Sequence, residues 1–530
     1  MCGIAGIVTH DGSDPAAASL DKLAKALAHR GPDGQGRYLQ HGVGLVQVRL
    51  AIIDLEGGRQ PLFEPQGGVL IGNGEIYNYR ELAADLQGAT FATASDCEPP
   101  LHLWRKAGPA FAQRLRGMYA LAIFDPDSKR LTLSRDPFGI KPLYYAETAL
   151  GFAFASEAQA LVAAGLVQAK ENVQARGELL QLQFTTGAET IFQGIRRLLP
   201  GETLVIEKGV IVERHFLNAL PAQGILSNTH DGFLYELDSV LAESVAFHQR
   251  SDVPYGMFLS GGIDSSALLA LMARLNERPV LAFTAHFPGT DAKDERSHAA
   301  RVAKELGAQR IDVPFTENDF WQLLPKVAEV MDDPAADYAC LPTYKLAMEA
   351  RKHVKVILSG EGGDELFAGY GRYRQATRPW PFAKRMRRHG TFDGLGVLRE
   401  APIRWRDGIA CAEREEAIEG RTRLQIAQAV DSKDWLPNDL LTKLDRCLMA
   451  HGVEGRVPFL DPLGRRGVCH DLVAVHHLEE NLDPPVAITL RVVRAGPHLH
   501  LELPPLGFLD GDRDSRLPRP LLFAEVAPEI

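Results

Sequence analysis

The sequence predicts a two-domain protein of mixed α+β and α/β class, with antiparallel sheets first and a doubly wound parallel sheet second. Three observations carry the prediction. Residues 2 to about 215 alternate short apolar runs with Gly, Asp or Pro punctuation, the pattern of strands. From about 231 the period lengthens, and strands alternate with helices in the order that builds parallel βα units. After about 466 prolines and histidines crowd in and helical periodicity fades.

The strands of the first part are "GIAGIV", "GVGLVQVRLAIIDL", "GGVLIGNGEIYN", "MYALAIFD", "RLTLSRD" and "GFAFAS". Helical segments such as "SLDKLAKALAHR" and "YRELAADL" lie between them, so sheets with helices packed outside are expected. "LPAQGILSNTHDG", rich in small and turn residues, reads as a linker. Beyond it, "LYELDSVLAESVAFHQR" is helical, and "VPYGMFLSGGIDSSALLALMARL" is strand, glycine turn and helix. "VLAFTAHF" is a strand, "ERSHAARVAKEL" a helix, and "VKVILSGEGGDELFAG" again strand, glycine loop and helix. Ligands bind such sheets at the carboxyl ends of the strands, where both glycine loops fall. The expected divisions are 1–215, 231–466 and a tail, 467–530.

At 530 residues the chain is too long for one core. Its net charge of -10 and pI of about 6.0 argue against a nucleic-acid-coating surface and suit an enzyme of small molecules. No apolar run reaches membrane-span length, and no basic region precedes an apolar core at the N-terminus, so neither a membrane span nor a signal peptide is expected. Six cysteines without C-x-x-C spacing argue against a disulfide framework or zinc site, and a reducing cytoplasm is the expected location.

Four stretches carry chemistry. Cys2 is either a small hydrophobe opening a strand or, once Met1 is removed, a thiol beside its own α-amine. Such an amine titrates near pH ~8 and can act as a base. In "NGEIYNY" the Asn73 side chain and the Gly74 N–H are suitable oxyanion donors, while Arg49 could clamp a carboxylate and Asp96 an ammonium. Each of these alone is equally a turn or surface residue. "LSGGIDSS" sets Ser260, Gly261, Gly262, Ser265 and Ser266 between a strand and a helix, where backbone N–H groups cradle phosphate. It is not the ordinary P-loop, and Asp264 within it implies an intervening cation, Mg²⁺. "SGEGGDE" is a second glycine loop, carrying Glu361, Asp364 and Glu365, and the pair of loops fits a triphosphate–magnesium site.

"MCGIAGIV", "HRGPDG", "RLAIIDL", "NGEIYNY", "SDCE", "RDPFGIKPLYY", "LSGGIDSS", "LSGEGGDELFAGY" and "GVEGRVPFLD" occur in that order. Over about 2–462 the set resembles the glutamine-hydrolysing asparagine synthetases. The resemblance implies an N-terminal-nucleophile amidotransferase domain of αββα layers, followed by a PP-loop ATP pyrophosphatase domain. It implies that Cys2 attacks glutamine with its own amine as base, that Asn73 and Gly74 form the oxyanion hole, and that Arg49, Glu75 and Asp96 hold the substrate. It assigns Leu259, Ala285, Ser359 and Gly360 to ATP contacts and Glu361 to the aspartate half-reaction, with Asp264 and Asp364 as Mg²⁺ candidates. Glutamine, aspartate and ATP are the implied substrates, ammonia would pass between the sites through an internal tunnel, and a homodimer is allowed. Two alternatives share the motifs: an amidotransferase with another carboxylate acceptor, and a glutaminase-only remnant.

Three departures from the family pattern stand out. Pro99 and Pro100 are expected to displace the helix that supports Asp96. His286, after Ala285, is expected to narrow the adenine site. The tail lacks the family's lysine-bearing stretch: Lys443 is the last lysine of the chain, and Arg491 and Arg494 lie in no matching motif. The abrupt change at about 463–467 reads as a reading-frame shift, so the tail is expected to pack poorly and to leave the ATP site incomplete.

Overall fold

Alternation along the strands decides how the first domain is layered. In Cys2–Thr9, Ile4 and Val8 point to one face and Ala5 and Ile7 to the other, and all are buried. Both faces of this strand are therefore covered. The computed structural model describes residues 2–220, 230–290, 296–379, 382, 384–400, 402–461, 491–495 and 498–502, with the backbone alone for 230–234 and 491–502.

Two six-stranded antiparallel sheets stack face to face. In spatial order the first is Arg196–Arg197, Tyr144–Thr148, Gly151–Ala155, Cys2–Thr9, Val43–Arg49 and Gly34–Gln40. The second is Val210–Phe216, Glu202–Glu207, Arg130–Arg135, Gly117–Asp125, Val69–Ile76 and Leu62–Phe63. Ile4, Val8 and Leu45 meet Ile71, Ala122 and Leu133 between them. The helix Ala17–Leu27 covers the outer face of the first sheet through Leu20, Leu23, Ala24 and Leu27, a stripe at helical spacing. Helix Glu98–Ala107 covers the second sheet with Leu101 and Trp104. This is the αββα layering that the sequence resemblance implies.

The two prolines do not displace that last helix. Pro99 and Pro100 lie within its first turn, where helical N–H groups lack intrahelical partners in any case. Asp96, just before it, is fixed by the Ile76 N–H at 2.8 Å.

The second domain holds a five-stranded parallel sheet in the order Gln309–Pro314, Leu281–His286, Tyr255–Phe258, Val356–Leu358 and Glu454–Arg456. The chain moves outward from Tyr255–Phe258 on one side and then restarts on the other. Its topological switch point falls between Tyr255–Phe258 and Val356–Leu358, the two strands that run into the glycine loops. Among the described residues no helix is long and apolar enough to cross a membrane. The tail expectation lies outside the described residues, apart from the backbone of the antiparallel pair Arg491–Ala495 and His498–Glu502. Arg491 and Arg494 both fall on the first strand of that pair.

The domains meet through a continuous core and a set of buried charges. Leu50, Ile52, Tyr77, Met118 and Phe138 of the first domain pack with Met257, Leu358, Val457 and Leu460 of the second. Arg30 donates to both carboxylate oxygens of Asp445, at 2.8 and 3.0 Å, and to Glu157 at 2.8 Å. Arg446 donates to Asp332 at 2.8 Å and Asp445 at 3.0 Å. Arg116 reaches Asp461 at 2.8 Å. Burial alone would drive Arg446 toward neutrality, but Asp332, Tyr144 and the carboxylates of Glu157 and Asp445 hold it well above the ordinary arginine value. Removing one member leaves the others charged and unpaired in a dry interior, which typically costs about 3–5 kcal/mol. Asp445→Ala is therefore expected to lower unfolding free energy by about that much. Urea denaturation of the purified chain checks it, and a loss below about 1 kcal/mol, the range of a surface pair, would contradict the buried-network account.

Candidate active sites

The register of the two sheets brings the N-terminal residues together. Cys2 lies on the same strand face as Ile4 and Val8, and Asn73 on the same face as Val69 and Ile71, so both point into the space between the sheets. They meet there: the Cys2 N–H donates to Asn73 Oδ1 at 3.1 Å. Gln47, two residues along from Leu45, donates its Nε2 to Cys2 Sγ at 2.9 Å. Asn73 is fully buried and its Nδ2 has no partner, so one amide group fixes the backbone nitrogen of Cys2 and keeps a donor in reserve. Gly74 has φ +154°, and a Cβ there would lie 2.1 Å from the Met118 carbonyl, so only glycine lets the strand pass. Burial pushes the Cys2 thiol above its usual range, against the pull of the Leu50 backbone and Arg49, so at neutral pH it needs a base.

The three expected glutamine-binding residues surround this pair. Arg49, opposite Cys2 in the strand pairing, donates to the carbonyls of Ile53, Asp54 and Leu55 at 3.2, 2.7 and 3.0 Å. It thus braces the following loop and keeps two of its five N–H groups for a ligand. Glu75 shares the Asn73 face. Burial and then the charge of Asp96 push its carboxyl well up, and its Oε1 has no partner. Burial raises Asp96 to about 6. Arg456 opposes the rise at both carboxyls without cancelling it.

The second site sits at the switch point. Leu259 continues strand Tyr255–Phe258 by accepting no turn of its own: its N–H donates to the Phe283 carbonyl at 2.9 Å. Gly261 then takes φ +82°, and the helix Ile263–Leu275 starts after Gly262. Ser260 and Ser265 hydroxyls lie 3.1 Å apart, the Gly262 N–H donates to Ser260 Oγ at 3.2 Å, and Ser266 Oγ is buried without a partner. Ala285 and His286 end the neighbouring strand half-buried, and His286 Nδ1 is likewise unpartnered. The second loop packs directly on the first. A Cβ on Gly360 would lie 3.2 Å from both Asp264 Cβ and the Ser265 nitrogen, and one on Gly363 would clash with the Asp264 carboxyl at 2.5 Å. Ser359 is tied to the next strand through its N–H and the Arg456 carbonyl, 2.9 Å.

Asp264 and Asp364 lie close enough to act on each other's charge. Burial, then Asp364 and Glu361, raise Asp264 to about 7, and burial also raises Asp364. Two hard oxygen donors, each disfavoured as an anion, fit a magnesium ion, which takes one or two carboxylates from a protein. Among the described residues no group of three or more His, Cys, Asp or Glu side chains is arranged to hold a metal without that help.

The asparagine synthase family model matches residues 236–462, and the glutamine amidotransferase domain model matches 1–217. The chain belongs to the glutamine-hydrolysing asparagine synthetase family. A Mycobacterium tuberculosis protein provisionally named as such a synthetase is 35% identical over 527 residues, spanning 87% of this chain and 80% of its own. Bacillus subtilis asparagine synthetase 1 is 33% identical over 87% of this chain and 79% of its own length. Escherichia coli asparagine synthetase B is 28% identical over 87% and 73%.

Relative to these synthetases, the sequence motifs leave several site residues unmarked. Gln47 carries no signal beyond its strand position. Arg456 lies in "GVEGRVPFLD" and is fully buried; its Nη2 stands 3.1 Å from Glu75 Oε2, as an ion pair rather than an aligned hydrogen bond. Lys443 is visible in the sequence only as the last lysine. Its Nζ lies 2.8 Å from Asp337 and 3.3 Å from Glu361. Burial opposes its charge, but Glu361 and Asp337 hold the ammonium above its ordinary value. A fixed cation therefore already stands beside Glu361 without the tail.

Two predictions follow from these geometries. Asn73→Ala removes a developing-charge donor, so glutaminase kcat is expected to fall about 10²–10³-fold with KM nearly unchanged. Steady-state glutamine hydrolysis checks this, and an effect confined to KM would remove the oxyanion role. Asp264 retains a proton in the fold, between about pH 4 and about 7, that the unfolded chain has released. That difference makes stability decline with rising pH over the same window. Without nucleotide or metal, Asp264→Asn should gain stability over wild type at pH 7 and lose that gain near pH 4; equal differences at both would refute the convergence of charges.

Proposed function

We propose that this chain makes asparagine from aspartate and ATP, using ammonia released from glutamine. The observation that carries the reading is the pairing of Cys2 with Asn73, in a chain whose second domain sets two glycine loops with carboxylates at one switch point. Both domains match the family, which favours the two-step activity over a glutaminase remnant.

After loss of Met1, the Cys2 amine stands at the acceptor oxygen of Asn73. It takes the thiol proton as Sγ attacks the glutamine side-chain amide. Charge then develops on the amide oxygen, and Asn73 Nδ2 with the Gly74 N–H receives it. Ammonia leaves, the thioester is hydrolysed by water, and glutamate departs. Arg49 takes the substrate carboxylate, and Glu75 and Asp96 its ammonium, which relieves their unfavourable burial.

In the second domain, the backbone of Ser260, Gly261 and Gly262, with the hydroxyls of Ser265 and Ser266, holds phosphate at the start of a helix. Leu259, Ala285, Ser359 and Gly360 line the nucleotide. Asp264 and Asp364 would hold Mg²⁺, which neutralises charge on the departing pyrophosphate. The aspartate side-chain carboxylate attacks the α-phosphorus, pyrophosphate leaves, and ammonia displaces AMP. Lys443 keeps Glu361 in place beside that reaction. The same reading places the enzyme in the cytoplasm, among free amino acids.

Purified chain supplied with ATP, Mg²⁺, aspartate and glutamine is expected to yield asparagine, AMP and glutamate; glutamate without AMP would overturn the synthetase half. Cys2→Ala should lose glutamine hydrolysis while using ammonium as before, and intact mass should show Met1 removed. Glutamine hydrolysis surviving in that variant would refute the nucleophile. ATP should raise the melting temperature only with Mg²⁺ present. Equal protection without the metal would remove Asp264 and Asp364 from that role.

A further inference from the structure

Beside Glu361 lies a cluster of buried polar groups that the reaction described above does not use. One side of it is a π-helical segment, Asp431–Leu440, running straight into helix Leu441–Met449. Wide helical turns of this kind are frequent at functional sites. Asp439 ends the segment, four residues before Lys443, so the two side chains share one helix face. Lys443 is already engaged with Asp337 and Glu361. Asp439 is not engaged: it is 0% exposed, and neither carboxylate oxygen accepts a hydrogen bond. Burial, then Asp337, raise its carboxyl to about 8, although Lys443 and Arg387 pull the other way.

A complementary group lies in the same cluster. Arg387 is held flat by aromatic rings, 4.1 Å from the centroid of Trp435 and 5.0 Å from that of Phe184. Its Nη2 lies 3.5 Å from Asp431 Oδ1 without forming a hydrogen bond, and its Nε and Nη2 are both buried and unpartnered. Arg372 takes the other oxygen of Asp431, at 2.7 Å. Buried groups of either sign are normally satisfied, because leaving them bare costs several kcal/mol, roughly 2–7 for a neutral polar group and more for a charge. Here a buried carboxyl and a planar cation, each with unpartnered polar atoms, lie close enough to act on one another's charge, and Glu361 and Lys443 act on the same carboxyl. An α-amino acid carries the opposite pair on a single carbon.

Resting on the aspartate-dependent activity given above, we propose that Asp439 binds the α-ammonium of the acceptor and Arg387 its α-carboxylate. The side-chain carboxylate is then presented at Glu361 and Lys443. The acceptor is thereby read as an α-amino acid, and a dicarboxylate without the amine is rejected.

Calorimetric titration of the full chain, with a non-hydrolysable ATP analogue and Mg²⁺ present, tests this with three ligands. L-Aspartate should bind at least tenfold more tightly than succinate, which lacks the ammonium, or β-alanine, which lacks the α-carboxylate. Asp439→Asn should weaken aspartate at least tenfold and leave succinate within twofold of wild type. Arg387→Met should weaken aspartate and leave β-alanine within twofold. Because it removes an unpartnered buried charge, Asp439→Asn should also melt no lower than wild type without ligand, which a purely structural carboxylate would not allow. Aspartate bound equally by wild type and Asp439→Asn, or aspartate and succinate weakened alike, would overturn the assignment. If the variants fail to fold, equal affinity of wild type for aspartate and succinate overturns it alone. Asparagine formation by wild type is scored separately, so loss of the residue assignment and loss of the synthetase reading are told apart.

Discussion

Three arginines buried between the domains, Arg30, Arg446 and Arg456, hold everything else in register. Arginine is the residue suited to this position, because its planar fork satisfies two carboxylates and a carbonyl at once. Arg30 shows the consequence most directly. Its Nη1 and Nη2 bind Asp445 of the second domain, while its Nε donates to the Cys2 carbonyl at 3.2 Å. The backbone of Cys2 is therefore tied to the neighbouring domain. Neither half of the molecule defines its own site without the other. The apolar core that runs through both domains supplies most of the burial, and the charges select the one docking geometry in which all of them are satisfied.

Both sites share an electrostatic design. Each gathers carboxyls whose burial makes the anion unfavourable: Glu75 and Asp96 in the first, Asp264 and Asp364 in the second. In the reading proposed above, each set would be relieved by a cation that comes with the ligand, an ammonium in one case and Mg²⁺ with phosphate in the other. Such sites trade stability of the free protein for affinity.

Much of this was legible in the sequence, and for identifiable reasons. Period-two alternation in "GIAGIV" and "GGVLIGNGEIYN" predicts the strands, and the same alternation puts Cys2 and Asn73 on facing surfaces. The glycine loops announce themselves because the backbone packs tightly at Gly360 and a Cβ at Gly363 would run into the Asp264 carboxyl. Pro99 and Pro100 were the misleading signal, since proline breaks a helix interior but is welcome in a first turn. Gln47, Arg456 and Lys443 were illegible because their placement arises from contacts across tens to hundreds of residues. A lysine in "LLTKLDR" has the spacing of an ordinary helical surface residue. Only the fold shows it buried against Glu361.

Arg456 touches both candidate sites. Its guanidinium stands against Glu75 in the amidotransferase pocket, while its carbonyl accepts the N–H of Ser359 at the root of the second glycine loop. One residue's backbone and side chain are thus components of two different machines. Selection for faster ammonia release and selection for better nucleotide geometry act on the same few atoms. The two halves cannot be tuned, swapped or grafted independently across this point, and a chimera joining domains from distant relatives would have to carry Arg456 and Glu75 across together.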